Sequence, residues 1–123
     1  MKILESYKNM DCQDILECVF HLNRLDLEVY RKLNEIKKAR VGTLAKTLGK
    51  ERSTVYRSLQ RLVACGLCSK KTMTIKTGGY YHVYFCSDLK KVKNRIEDCI
   101  DEWYRYMKQN IRDFEKKIKA LKK

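Results

Sequence analysis

Apolar residues recur along this chain in two rhythms, and the places where the rhythm changes divide it. From Asp11 to Leu22, the positions Ile15, Val19 and Leu22, widened by Leu16 and Phe20, mark one side of a short amphipathic helix. Asn23 and Arg24 interrupt it. Asp26 is then placed to cap a second helix, its carboxylate accepting an amide of the first turn. Val29, Tyr30, Leu33 and Ile36 line one side of that helix, opposite Arg31, Lys32 and Glu35. Arg40, Val41 and Gly42 read as extended, enough for a small edge strand. Thr43 is placed to cap a third, short helix carrying Leu44, Ala45 and Leu48, and Gly49 ends it. A fourth helix covers about 51–64, with Val55, Leu59 and Leu62 inward and Val63 at the border. Its outward arc holds Ser53, Tyr56, Arg57, Gln60 and Arg61.

Gly66 stops the fourth helix, and the period then drops toward two. Residues 67–75 and 80–86 are strand-like, separated by Lys76-Thr77-Gly78-Gly79, the composition of a hairpin tip. After Asp88, a further helical cap, one long amphipathic helix is predicted. Its seam is Leu89, Val92, Ile96, Cys99, Trp103, Met107, Ile111, Phe114, Ile118 and Leu121. Spacings of three and four alternate except for a run of fours from Cys99 to Ile111. Such a run locally unwinds a left-handed supercoil, so a paired helix would be nearly straight there. About thirty residues at 1.5 Å each give roughly 45–50 Å, more than a small domain needs to cover itself. A second copy of the chain is the expected partner, making a homodimer with coiled-coil character.

Helix, short helix, tight turn, helix and hairpin make a winged helix-turn-helix: mainly α with a small β-hairpin wing (α+β). The expected division is residues 1–87 for the winged domain and 88–123 for the long dimerisation helix. At 123 residues there is room for one modest core and that extension.

Charge sharpens the picture. Residues 37–79 carry eleven Lys or Arg and a single acid, Glu51, which is +10 of the chain's formal +13. A charge so concentrated is the footprint of a protein that binds a polyanion, and double-stranded DNA is the first candidate. In a winged helix the fourth helix enters the major groove while the wing reaches the neighbouring backbone or minor groove. Arg57 and Gln60 can offer paired hydrogen bonds to guanine or adenine edges. Ser53, Thr54 and Tyr56 can donate to phosphates. Lys50, Arg52, Arg61, Lys70, Lys71 and Lys76 would lie along the sugar–phosphate rails, positioning without specifying.

The residues Leu48-Gly-Lys-Glu-Arg-Ser-Thr-Val-Tyr-Arg-Ser-Leu-Gln-Arg-Leu-Val63, then Gly66-Leu67, then Gly78-Gly-Tyr-Tyr-His-Val-Tyr84, resemble the TrmB-like branch of archaeal winged-helix regulators, more distantly MarR-type proteins. Leu25-Asp-Leu-Glu-Val-Tyr30 upstream and Asp101-Glu-Trp-Tyr104 downstream fit short, single-domain members. The likeness runs from about residue 18 to 114, and Arg-Ser-Thr-Val-Tyr-Arg is its most specific part. It implies a dimeric DNA-binding transcription regulator with Arg52 to Arg61 on the reading helix. The chain departs from the sugar-sensing members in having no stretch that corresponds to their large C-terminal effector domain.

Other features exclude classes. No apolar run approaches a membrane span, and residues 1–10 do not read as a signal peptide. A cytoplasmic protein is expected, and its six cysteines are read as thiols. His21 and His82 have no acid and nucleophile arranged around them, so no enzyme is expected and no cofactor. Trp103, Tyr104 and Tyr106 are read as filling a helix–helix seam, and Tyr80, Tyr81, Tyr84 and Phe85 as wing packing rather than a base-stacking platform. Cys65, Cys68, His82 and Cys86 are chemically suited to zinc. Strand alternation, however, separates His82 from Cys86 by about 13 Å, too far for one metal. Inert core thiols are the plain reading. The alternative is a redox response at Cys65, Cys68, Cys86 or Cys18, with Lys70, Lys71 and Arg61 raising the thiolate fraction and a Cys68–Cys86 bridge as one product. Two other functions fit less well: an architectural DNA-coating protein, and an interaction adaptor using the long helix. The mixed Arg57, Gln60 and Ser53 surface disfavours the first, and the basic segment disfavours the second.

Overall fold

Asn23 decides where the second helix begins. In the computed structural model, which describes residues 11–121, its side-chain oxygen accepts the Asp26 N–H at 2.8 Å. The Asp26 carboxylate returns the favour to the Asn23 N–H at 3.1 Å. This reciprocal box makes Asn23 the cap and puts Asp26 three residues inside the helix, correcting the expectation that Asp26 caps. The reading of residues 1–10 as lacking a signal peptide lies outside the described residues.

Chain order is α1 (Cys12–Phe20), α2 (Arg24–Ile36), β1 (Lys38–Ala39), α3 (Val41–Leu48), α4 (Arg52–Ala64), β2 (Cys68–Thr74), β3 (Tyr80–Cys86), α5 (Leu89–Arg112) and α6 (Phe114–Leu121). The mainly helical winged helix-turn-helix with a small antiparallel sheet is therefore the observed fold, and four local details differ. α1 starts on an Asp11–Asp14 box and ends by Phe20, with Leu22 buried just beyond it. The edge strand is Lys38–Ala39 rather than 40–42, because Arg40 caps α3 with extended backbone. Thr43 is inside α3, where its carbonyl accepts the Thr47 hydroxyl at 2.8 Å. The C-terminal helix is not continuous: a turn at Asp113 separates α5 from α6.

The described residues fall into two compact units, divided between Val92 and Lys93. The first is the winged unit. Val29 and Leu33 of α2, Leu44 of α3, Val55, Leu59 and Leu62 of α4, and Leu67 are wholly enclosed. Each such side chain contributes roughly 1.5–3 kcal/mol of burial, before the entropy of ordering it. The sheet order is β1-β3-β2, all antiparallel. Gly78 and Gly79 turn the hairpin at φ 110° and 85°, conformations that only glycine adopts cheaply. In α5, Asp88 caps the first turn, its carboxylate accepting the Lys90 N–H at 2.9 Å.

The second unit comprises the rest of α5 with α6. Trp103, Tyr104, Tyr106, Met107, Ile111, Phe114 and Leu121 are all exposed. Val92, expected on the same seam, is instead buried in the winged unit.

Candidate nucleic-acid interface

α4 presents its polar arc because its apolar positions are spent inward. Val55, Ser58, Leu59 and Leu62 are buried, so Ser53, Tyr56, Arg57 and Gln60 are left facing out. Thr54 is half-buried beside this arc. Gln60 Nε2 donates to the Tyr56 hydroxyl at 3.2 Å, which orients both side chains across one turn. Among the described residues no ion pair or hydrogen bond holds the Arg57 side chain. Its five donors are uncommitted.

Arg61 behaves differently from the sequence-based expectation. Its Nε and Nη2 donate to both oxygens of Asp26, at 2.9 and 2.8 Å, across 35 residues of chain. The carboxylate is fully enclosed, while the Arg61 side chain keeps 44% exposure. Burial pushes Asp26 up, yet hydrogen bonds from Arg61, Ser58 and the Asn23 backbone outweigh it and hold the carboxyl below its ordinary value. Arg61 is thus a brace clamping α4 onto α2 rather than a free phosphate contact. The Asn-x-x-Asp box at 23–26 is a local signal that would have placed Asp26 correctly. Nothing local identifies Arg61 as its partner.

On the wing, side chains alternate between faces. Cys68 and Tyr84 are buried, so the even-numbered positions face the helices, and Lys70, Thr72 and His82 share that face further toward the tip. Lys71 points the other way. It sits with Met73, Tyr81, Val83 and Phe85 over an open cavity of about 510 Å³, together with Lys38 and Arg40. The two adjacent lysines therefore point to opposite faces of the hairpin. Lys76 is exposed at the tip and Lys50 ahead of α4.

A second cleft, of about 470 Å³, separates the first turns of α4 from the wing, lined by Arg40, Val41, Arg52, Ser53, Tyr56, His82 and Tyr84. Two arginines and an imidazole converge there with no carboxylate among the lining residues. Arg40 is steadied by the Tyr81 ring, 4.2 Å from the centroid. His82 is steadied by Thr72, whose hydroxyl lies 3.1 Å from Nδ1. From sequence alone, Arg40 reads as an edge-strand residue and part of the basic stretch, and His82 as a catalytic or zinc-binding candidate, neither as a lining of this cleft. A base just before a helix and a polar residue midway along a wing strand are the signals that were available.

The cysteines also separate. Cys18 is exposed on α1. Cys65 caps the C-terminus of α4, and Cys68 and Cys86 face each other across β2 and β3. The interaction with Cys68 and, to a smaller extent, the positive charge of Lys37 pull the Cys86 thiol down against the effect of burial. Hydrogen bonding to Cys86 and burial push Cys68 up. The expected helpers Lys70, Lys71 and Arg61 are absent from these influences. Among the described residues no three His, Cys, Asp or Glu side chains come together as metal ligands, and no helix is long and apolar enough to cross a membrane.

A family model described as "Sugar-specific transcriptional regulator TrmB" matches residues 16–90. Two uncharacterised curated proteins of Methanocaldococcus jannaschii are similar along most of their length. One is 31% identical over 107 residues, covering 87% of this chain and 88% of its own. The other is 32% identical over 101 residues, covering 82% and 76%. Among solved structures, a protein of Methanosarcina mazei Go1 described as a "possible transcriptional regulator" superposes with a TM-score of 0.75 at 22% identity, covering 86% of this chain and 90% of that one. A protein of Sulfolobus tokodaii follows with a TM-score of 0.64 at 23% identity, covering 77% and 93%. At these identities the superpositions show a shared fold.

Proposed function

This chain belongs to the family described as sugar-specific transcriptional regulator TrmB, and from that premise we propose that it is a sequence-specific, DNA-binding transcription regulator. It works as a homodimer in the cytoplasm. The winged unit engages DNA, and the C-terminal unit from Lys93 onward pairs the two copies.

The observation that carries the reading is the outward arc of α4. Ser53, Tyr56, Arg57 and Gln60 form one exposed polar surface, with Gln60 and Tyr56 bonded only to each other, on a helix whose other sides are locked by the core and by Asp26. Arg57 and Gln60 read base edges in the major groove. Phosphate contacts come from Arg52, Ser53 and Lys50 at the start of α4, and from Arg40 and His82 in the cleft beside it. Lys70 and Lys76 extend the contact along the wing. The exposed stripe of Trp103, Met107, Ile111, Phe114 and Ile118 supports pairing with a second copy. An inverted-repeat site follows, with half-sites roughly 34–36 Å apart or a multiple of that.

The test is selection of binding sites from random duplexes, then affinities of wild type and Arg57→Ala. Loss of Arg57 is expected to cost about 1–3 kcal/mol on the selected site and to relax preference at one position per half-site. Equal affinity and equal preference for both proteins would remove α4 from the major groove.

A further inference from the structure

We propose that Cys68 and Cys86 form an oxidisable dithiol at the root of the wing, one that a hydroperoxide converts to a cross-strand disulfide. The wing's bend at its root, and with it the grip on DNA, then depends on the redox state.

The register carries the site. Ser87 N–H donates to the Leu67 carbonyl at 2.9 Å, and Ile75 N–H donates to the Gly79 carbonyl at 3.1 Å. Both bonds fall on alternate rungs of the single register that pairs Cys68 with Cys86. The cysteine pair therefore occupies a rung without backbone hydrogen bonds between its residues. Opposed residues at such a rung have Cα atoms about 4.5 Å apart and side chains on one face, within the span a disulfide bridges. No strand has to slide for the bond to form.

The surroundings divide the labour between the two sulfurs. Cys86 is half-buried, with its thiol 3.9 Å from the Tyr30 carbonyl and Lys37 lending positive charge. Cys68 is 2% exposed and stands opposite Cys86 on the same rung. Cys86 is accordingly the nucleophile and Cys68 the resolving thiol. The Cys86 thiolate attacks one peroxide oxygen of ROOH. The O–O bond breaks, the alkoxide takes up a proton and leaves as ROH, and Cys86 becomes a sulfenic acid. Cys68 sulfur then attacks Cys86 sulfur, losing its proton, and the S–O bond breaks to release water. Two thiols and one hydroperoxide become one disulfide, one alcohol and one water. The two electrons come from the sulfurs, and an added dithiol returns them.

The location gives the bond leverage. From this rung to the tip near Lys76 the ribbon runs roughly 25 Å at strand rise, so a bend of about 10° at the root moves the tip roughly 4 Å. That displacement breaks a phosphate hydrogen bond. This consequence rests on the DNA reading above, whereas the bond itself does not.

The full chain is treated with a small excess of hydrogen peroxide, then assayed by free-thiol count, by peptide mapping without reductant, and by DNA affinity. Wild type is expected to lose two thiols, to yield a linked pair of peptides containing Cys68 and Cys86, and to recover both thiols with dithiothreitol. Affinity for the selected duplex should fall roughly three- to tenfold, as for loss of one or two phosphate contacts, and recover on reduction. Cys68→Ala, which keeps an apolar group in the core, should stop at a Cys86 sulfenic acid trapped by dimedone; Cys65→Ser should bridge like wild type. Absence of the linked peptide from folded wild type, or its loss in Cys65→Ser, overturns the site. A linked peptide with unchanged affinity overturns the control of DNA binding. If reduced wild type binds no duplex while the bridge forms normally, the DNA reading has failed and the dithiol stands.

Discussion

The winged unit and the C-terminal unit solve the hydrophobic problem in opposite ways. In the first, seven large aliphatic side chains from α2, α3, α4 and Leu67 are completely enclosed by their own chain. In the second, Trp103, Met107, Ile111 and Phe114 stand 44–67% exposed. One unit closes a core; the other displays half of one. An amphipathic helix gains most of its stability from burying its stripe, so the second unit should depend on a second copy in a way that the first does not.

The sharpest break in that contrast is a pair of truncations of side chains. Leu59→Ala empties an enclosed site and is expected to destabilise the winged unit by about 2–5 kcal/mol, read by urea denaturation. Trp103→Ala should leave the winged unit's stability unchanged while shifting the chain toward monomer in sedimentation at micromolar concentration. Cutting the chain before Trp103 should produce a folded monomer. A truncated chain that stays dimeric would move the interface into the winged unit and dissolve the contrast.

The Asp26–Arg61 clamp comes next in size. Arg61→Ala leaves an enclosed carboxylate without its main partner. The expected loss is about 2–3 kcal/mol, less than for a fully enclosed pair, because solvent reaches and screens the arginine. The clamp also has a pH signature. Asp26 is held below its ordinary value in the folded chain, so its contribution is fully present above the unfolded value, about pH 4. It is lost as pH falls from there through the lower folded value. Asp26→Asn should therefore flatten the fall in stability below about pH 4. If wild type and Asp26→Asn lose stability in parallel over that window, the carboxylate is not charged in the fold.

The smallest effects separate neighbours. Lys70→Ala should weaken binding to every duplex alike and reduce the salt slope by about one. Lys71→Ala, on the reverse face of the wing, should change that slope far less. Equal slopes would mean that both wing faces meet the backbone.

Much of this was legible in one dimension. The order of helices and strands, the Gly78-Gly79 tip, the basic stretch 37–79 and the long apolar stripe are all properties of neighbours in sequence. Backbone periodicity and turn chemistry act over a few residues, so they can be read there. The break at Asp113 is not legible there, because apolar residues continue across it at helical spacings of three and four.

Tertiary structure decided which donor stays free. Arg57 and Arg61 are one turn apart on the same helix and look alike in the sequence. Packing of α4 against α2 sets an enclosed carboxylate beside one and leaves the other open. Likewise, alternation shows that Lys70 and Lys71 diverge, but only the burial of Cys68 and Tyr84 says which of the two looks toward the helices. Arg40 and His82 meet across a cleft whose walls come from separate segments. The Cys68–Cys86 rung follows from a register pinned by bonds at both ends of the hairpin. Sequence by itself determined the elements and the charge they carry. Partners distant along the chain, brought together by core packing and strand register, determined which side chains are committed to the fold and which are left to act.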